Sequence, residues 1–199
     1  MANEYCTLAS VKSRLDIATL ITNYDAELNS VIEAVSRAID ARLRRRFFVA
    51  TETRYYTANW GDWVIIDDCQ SVSALATDDN GDGTYETDWA ASDYILQPSN
   101  AITDGAPYCD IIINPNGSQT FPLHVPNGVK ITGSFGYSDG APLPIAEACI
   151  LASMRVWKRR DVLFGTAGSA DLGTYQAITS ILNDGELRMM LESISVRVV

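Results

Sequence analysis

The sequence predicts an α+β fold in which a helical bundle of about four helices carries an antiparallel β-rich block, inserted between its two long helices. Three observations predict it. Apolar residues keep a three-four rhythm from Asp25 to about Arg46 and again from Ile145 to Arg160. Between these stretches, from Phe47 onward, the period falls to two and turn residues recur at short intervals. Charge divides in the same way: residues 51 to 141 hold thirteen acids against Arg54 and Lys130, a net of −11, while residues 1 to 50 sum to +1 and residues 142 to 199 to 0, giving the total of −10. The expected organisation is therefore 1–50 as the N-terminal helical part of the core, 51–141 as the acidic β-rich insertion, and 142–199 as the C-terminal helical part.

The elements follow in order. Thr7 precedes Leu8, Val11 and Leu15, a short helix with a hydroxyl cap that ends near Asp16. From Asp25, Leu28, Val31, Ile32, Val35, Ala38 and Ile39 form one stripe of a helix expected to reach about Arg46. Strands are expected at 53–57, 63–67, 72–77, 84–87, 94–97, 109–113 and 129–135. The last is the clearest, because Val129, Ile131, Gly133 and Phe135 alternate with Lys130, Thr132 and Ser134. Pro142 and Pro144 reset the chain, and proline belongs in the first turn of the helix that follows. That helix has apolar positions over a wide arc (Ile145, Cys149, Ala152, Val156, Ile150, Met154, Trp157), so it is expected to be buried from more than one side. Residues 164–175, rich in Gly, Ala, Ser and Thr, read as a mobile loop. Asp184 is placed to cap a final helix with Leu187, Met190, Leu191 and Ile194, and 196–199 can add a strand.

Composition excludes several function classes. With 199 residues and 47% apolar content the chain can build a real core. It has no run of about 18 apolar residues to span a membrane and no basic-then-apolar secretory leader, so a soluble intracellular protein is expected. Cys6, Cys69, Cys109 and Cys149 stand at wide spacing with a single histidine, His124, which argues against zinc and for reduced thiols. A pI near 4.4 is the wrong sign for a general nucleic-acid binder.

Catalysis finds no footing. His124 lies in a proline-flanked loop without a nucleophile signature, the dispersed acids single out no glycosidase pair, and Asp67 and Asp68 are adjacent on a strand and so point apart. No glycine-rich phosphate loop is present, and no cofactor is expected. The run from Asp78 to Gly83 resembles the start of a calcium loop, with Asp78, Asn80 and Asp82 as oxygen ligands, but the position of the closing glutamate is Trp89. A hairpin turn in which Asn80 and the glycines take positive φ is the preferred reading.

Two basic clusters remain: Arg42, Arg44, Arg45 and Arg46 at one helix end, and Arg155, Lys158, Arg159 and Arg160 at the other. A helix macrodipole accounts for one or two cations at a C-terminus, not four in six residues twice. Either the acids of the middle block pair with them within the chain, or another copy supplies the acids, as in a closed ring.

These residues resemble those of head-tail connector proteins of tailed bacteriophages. The likeness runs through Thr7-Leu8, Val11-Lys12, Ala38-Ile39-Asp40-Ala41, Arg45-Arg46-Phe47, Thr53-Arg54-Tyr55-Tyr56, Asp79 to Glu86, Asp93-Tyr94, Phe135-Gly136-Tyr137, Pro144-Ile145 and Trp157 to Asp161. It implies a non-catalytic virion protein, made in the host cytoplasm, that forms a ring expected to be dodecameric. Such a ring docks under the portal protein and joins the DNA-filled capsid to a tail terminator or stopper. DNA then passes through the channel without sequence-specific binding, and negative charge there avoids gripping phosphate. The candidate subunit or portal interface is Arg42, Arg44, Arg45, Arg46, Lys158, Arg159, Arg160, Met189, Met190 and Leu191, the last three belonging to a C-terminal segment over 184–199 that reads either as an ordinary terminal helix packed on its own bundle, the preferred reading, or as a strap that orders against portal subunits. Two other readings compete: a calcium- or carbohydrate-binding β module on a helical stalk, and a basic-helix DNA-binding regulator.

Overall fold

A computed structural model describes residues 3–159, 166–167, 175–176 and 185–195. Its architecture is α+β, as predicted, and it divides into two compact units: Met1–Arg44 together with Ala141–Val199, and Arg45–Gly140.

The first unit is helical, with α1 (Leu8–Arg14), α2 (Asp25–Leu43), α3 (Leu143–Arg159) and α4 (Gly185–Ser195). The Thr7 hydroxyl accepts the Ser10 backbone N–H at 3.1 Å, which caps α1. α3 is the hub and packs against each of the other three. Its Ile145, Ala148, Cys149, Ala152 and Trp157 are buried with Val11 of α1, Leu28, Ile32, Val35 and Ile39 of α2, and Leu187 and Leu191 of α4. The wide apolar arc expected of this helix is what allows a hub with three neighbours. Val156 departs from it and stays exposed.

Lys12, only 3% exposed, shapes the connection between α1 and α2. Its Nζ donates to the carbonyls of Thr19 (3.2 Å) and Ile21 (2.6 Å) and to Asp25 Oδ1 (2.8 Å). A buried ammonium is tolerable only with such a full set of acceptors. The α1–α3 contact carries an ion pair, Arg14 to Glu147 at 2.9 Å. α2 ends at Leu43, short of the expected Arg46, because Arg44 turns left-handed (φ 52°) and leaves helical geometry.

The second unit is a six-stranded antiparallel sheet of order β1-β6-β2-β5-β4, with β3 also on β2. The strands are β1 (Ala50–Tyr56), β2 (Trp63–Thr77), β3 (Thr87–Trp89), β4 (Tyr94–Gln97), β5 (Tyr108–Ile113) and β6 (Val129–Phe135). The strands expected at 63–67 and 72–77 are one, β2, whose register shifts between Ile65 and Cys69 and again on either side of Ser71 and Val72. These bulges let a single strand pair with β5 along its first half and with β6 and β3 along its second. The strand expected at 84–87 is instead irregular chain as far as Glu86, and β3 starts only at Thr87.

The sheet core gathers Val64, Ile66, Cys69, Leu75, Ile111, Val129, Ile131 and Phe135, and Trp89 stacks on Phe121 at 4.6 Å. Gly133 sits opposite the β2 bulge, where a Cβ would lie 2.3 Å from the Ser71 carbonyl oxygen. A second, two-stranded sheet pairs β7 (Thr166–Ala167) with β8 (Tyr175–Gln176), within and just past the segment read as a loop. The remainder of 164–175, the capping position Asp184 and the tail 196–199 lie outside the described residues.

Candidate functional site

The arginines at the end of α2 divide at the last helical turn. Arg42 and Arg44 are exposed and make no ion pair among the described residues, whereas Arg45 and Arg46 face into the β unit. Arg45 Nε lies 3.2 Å from Asp68 Oδ2, with the two side chains 10% and 8% exposed, and its guanidinium stacks over Tyr137. Arg46 donates to Glu52 at 2.7 Å and to the Phe135 carbonyl at 3.0 Å. Both side chains are therefore engaged within the chain, by Asp68 and Glu52 of the acidic block. The left-handed turn at Arg44 ends helical geometry between the two pairs.

Arg46 opens a longer network. Glu52 accepts from Arg46 and also from Arg54 (2.9 Å), and Arg54 reaches Asp67 at 2.7 Å. The Tyr56 hydroxyl donates to the same Asp67 oxygen at 3.1 Å. Arg46 and Arg54 together hold the Glu52 carboxyl below its ordinary value of 4.5, against the opposing effect of its partial burial. Alternating charges along β1 and β2 thus stitch the edge of the sheet.

The second cluster stands elsewhere on the helical unit. Tyr24, just before α2, packs edge-on against Trp157 near the end of α3 at 5.6 Å, while Ser36, farther along α2, lies 3.5 Å from Cys149 in the middle of α3. α2 and α3 therefore run antiparallel. At about 1.5 Å per residue, the helix separates Arg42 from Lys158 by roughly 28 Å, so the two clusters form no common patch. Lys158 is exposed, Arg159 half-buried, and Arg155 pairs with Glu186 of α4 at 2.9 Å. Arg160 lies outside the described residues. In α4, Met189 is 68% exposed and Met190 half-buried, but Leu191 is a core residue; the apolar stripe that fits α4 onto α3 takes it away from any strap surface.

Between α2 and α3 lies an open apolar groove of about 350 Å³, lined by Ser30, Val31, Ala34, Val35 and Ala38 on one side and Ala152 and Val156 on the other. Exposed Leu20 (93%), Ile21 and Tyr24 stand at the end of the helix pair that carries Trp157. The sequence places Val31, Val35, Ala38, Ala152 and Val156 on apolar stripes but does not mark this face as open. Its signal was present, however, as small residues at 30, 34 and 38, spaced four apart and so aligned along one helix side.

The acidic turn is closed by its own backbone. The Asp78 carboxylate is buried and accepts the N–H groups of Asn80 (3.3 Å), Gly81 (2.6 Å) and Gly83 (2.8 Å), and Asn80 donates to Glu86 at 2.8 Å. The Thr84 N–H, 2.8 Å from Asp82, holds that carboxyl below its ordinary value. Carboxylate oxygens of Asp78, Asp82 and Glu86 come within 4.8 Å of one another, so the turn gathers acids at positions the calcium pattern only partly anticipates. Trp89, at the place of the closing ligand, packs in the sheet core. His124 is exposed with φ 58° in a loop held to Ala58 by its backbone N–H at 2.9 Å.

The fold recurs in solved proteins, and three of the matching chains cover it over nearly their full length. A chain from the neck of an empty gene transfer agent particle, computed with C6 symmetry, is 20% identical with a TM-score of 0.59, over 98% of this chain and 92% of that one. A chain from the neck of the native particle, computed with C12 symmetry, is 20% identical with a TM-score of 0.55, over 100% and 97%. A chain from the native gene transfer agent virion is 21% identical with a TM-score of 0.57, over 100% and 98%. At this level of identity the likeness establishes a shared fold. No family model matches the sequence, nor does any curated protein. Among the described residues, no helix is long and apolar enough to cross a membrane.

Proposed function

We propose that this chain is a structural neck protein of a phage-like particle, acting as a ring of identical copies docked under the portal and joining the DNA-filled capsid to the tail or stopper. One observation carries the reading: the fold matches over nearly the full length of both chains compared, and two of the chains it matches come from necks computed with sixfold or twelvefold symmetry. A catalytic function is not part of it. In a ring, the open α2–α3 groove with its small side chains is a face on which a neighbouring copy can pack closely, and exposed Arg42, Arg44 and Lys158 are the bases left to meet acidic surfaces of a neighbour or of the portal. The outward acids of the β unit suit a surface near DNA that must slide, since they offer phosphate no cation.

Electron microscopy of the purified chain, alone and mixed with portal-bearing capsids, tests this directly. Rings at the portal vertex are expected, either preformed or assembled only on the capsid. Absence of rings in both samples overturns the proposal.

A further inference from the structure

Two thiols far apart in the sequence meet inside the helical unit. Cys6, just before α1, and Cys149, in the middle of α3, bring their sulfur atoms to 3.2 Å, and both are buried and free. The segment bearing Cys6 is fixed on α2: the Tyr5 N–H donates to the Ser36 hydroxyl oxygen at 3.1 Å, the Tyr5 hydroxyl donates to Asp40, and Arg37 donates to the Asn3 carbonyl at 2.7 Å. Proximity of the thiols is thus enforced by neighbours.

Hydrogens run one way through the site. The Cys6 thiol donates to Cys149, whose sulfur lies 3.5 Å from the Ser36 oxygen, and the Ser36 hydroxyl in turn donates to the Ile32 carbonyl at 2.8 Å. When Cys149 ionises, the Ser36 hydroxyl is close enough to turn toward it as a second donor. These bonds favour the thiolate on Cys149 and keep the proton on Cys6, which sets the two sulfurs in different roles.

We propose that Cys6 and Cys149 are a modification site, a dithiol that hydrogen peroxide converts to a disulfide clamping the N-terminal segment onto α3. Burial admits a small neutral oxidant and excludes a bulky one. The Cys149 thiolate attacks one peroxide oxygen, the O–O bond breaks, and hydroxide leaves a sulfenic acid on Cys149. The Cys6 sulfur then attacks the Cys149 sulfur, the S–O bond breaks, and the hydroxyl departs as water with the Cys6 proton. Two thiols and one peroxide give one disulfide and two waters. Cys69 is a contrast within the same chain: its thiol donates to the Ser71 carbonyl at 3.2 Å and burial pushes it up to about 11, so it resists the same reagent.

The test treats the full chain with hydrogen peroxide and counts thiols after denaturation. Two of the four are expected to disappear, peptide mapping is expected to join Cys6 to Cys149, and the melting temperature is expected to rise by roughly 5–15 °C from the long loop closed. In Cys6→Ser the bridge is lost, and dimedone added together with the denaturant is expected to trap a sulfenic acid on Cys149. Four intact thiols, a bridge between other cysteines, or overoxidation of Cys149 in the wild type without a bridge each overturns the proposal. The wild-type readouts stand even if the variant folds poorly, and they do not depend on whether the chain sits in a neck.

Discussion

The two units of this protein leave different charges unpaired at their surfaces. The β unit, Arg45–Gly140, has thirteen acids and only Arg45, Arg46, Arg54 and Lys130, a net of −9; the helical unit has eleven bases and twelve acids, a net of −1. Every base of the β unit is engaged internally, three in ion pairs and Lys130 over the Tyr85 ring. Its acids Asp62, Asp88, Asp104 and Asp139 remain exposed. The nearly neutral helical unit pairs Lys12, Arg14, Arg37, Arg155 and Arg188 internally but leaves Arg42, Arg44 and Lys158 outside. Net charge therefore does not tell which unit presents cations to a partner; internal pairing does.

The largest effect that can break this contrast is a charge reversal on either side of the last helical turn. Arg45→Glu sets a second carboxylate against buried Asp68 and is expected to cost about 3–5 kcal/mol, as for a broken buried pair. Arg44→Glu, exposed, is expected to change stability by less than about 0.5 kcal/mol. Denaturant melts of the two variants check the pair, and equal losses would place Arg44 inside as well. A triple reversal of Arg44, Arg45 and Arg46 is consequently a folding test more than an assembly test.

A smaller effect follows from Glu52. Because its folded value lies below the ordinary 4.5, its bonds to Arg46 and Arg54 contribute fully above that pH and are lost as pH falls through the lowered value. Thermal melts of the wild type should therefore show no Glu52 contribution to the slope between pH 7 and 5, and a decline below about 4. Glu52→Gln should be less stable at neutral pH and should show a flatter acid limb. An unchanged acid limb would remove the network from the account of the sheet edge.

The smallest expected effect concerns the acidic turn. Asp78 already accepts three backbone N–H groups, so millimolar calcium is expected to shift the melting temperature by less than about 1 °C, whereas occupation at a hundred times the dissociation constant would add about 2.7 kcal/mol. Calorimetric titration with calcium decides between them. Stoichiometric heat would revive the calcium module and give the β unit's acids a different purpose.

Much of the fold was legible because periodicity is local. The alternation of Val129 to Phe135 reappears as a strand buried at every second residue, and the three-four rhythm of Leu28, Ile32, Val35 and Ile39 reappears as the buried stripe of α2. The hydroxyl of Thr7 caps α1 where its position before an apolar run indicated. Boundaries were less legible where a backbone conformation intervened. Arg44 is no glycine, so nothing local announced its left-handed turn, and the bulges that fuse 63–67 with 72–77 arise from pairing one strand to three others.

Sequence by itself determined the alternation of helix and strand and the seat of the acidic excess, since each is a property of residues close together in the chain. Only tertiary structure decided which arginines turn inward, that α2 and α3 run antiparallel and so part the two basic clusters, that small residues spaced by four line an open groove, and that Cys6 meets Cys149. These depend on which distant segments face each other, and that choice is made by burying the whole core at once rather than by any local pattern.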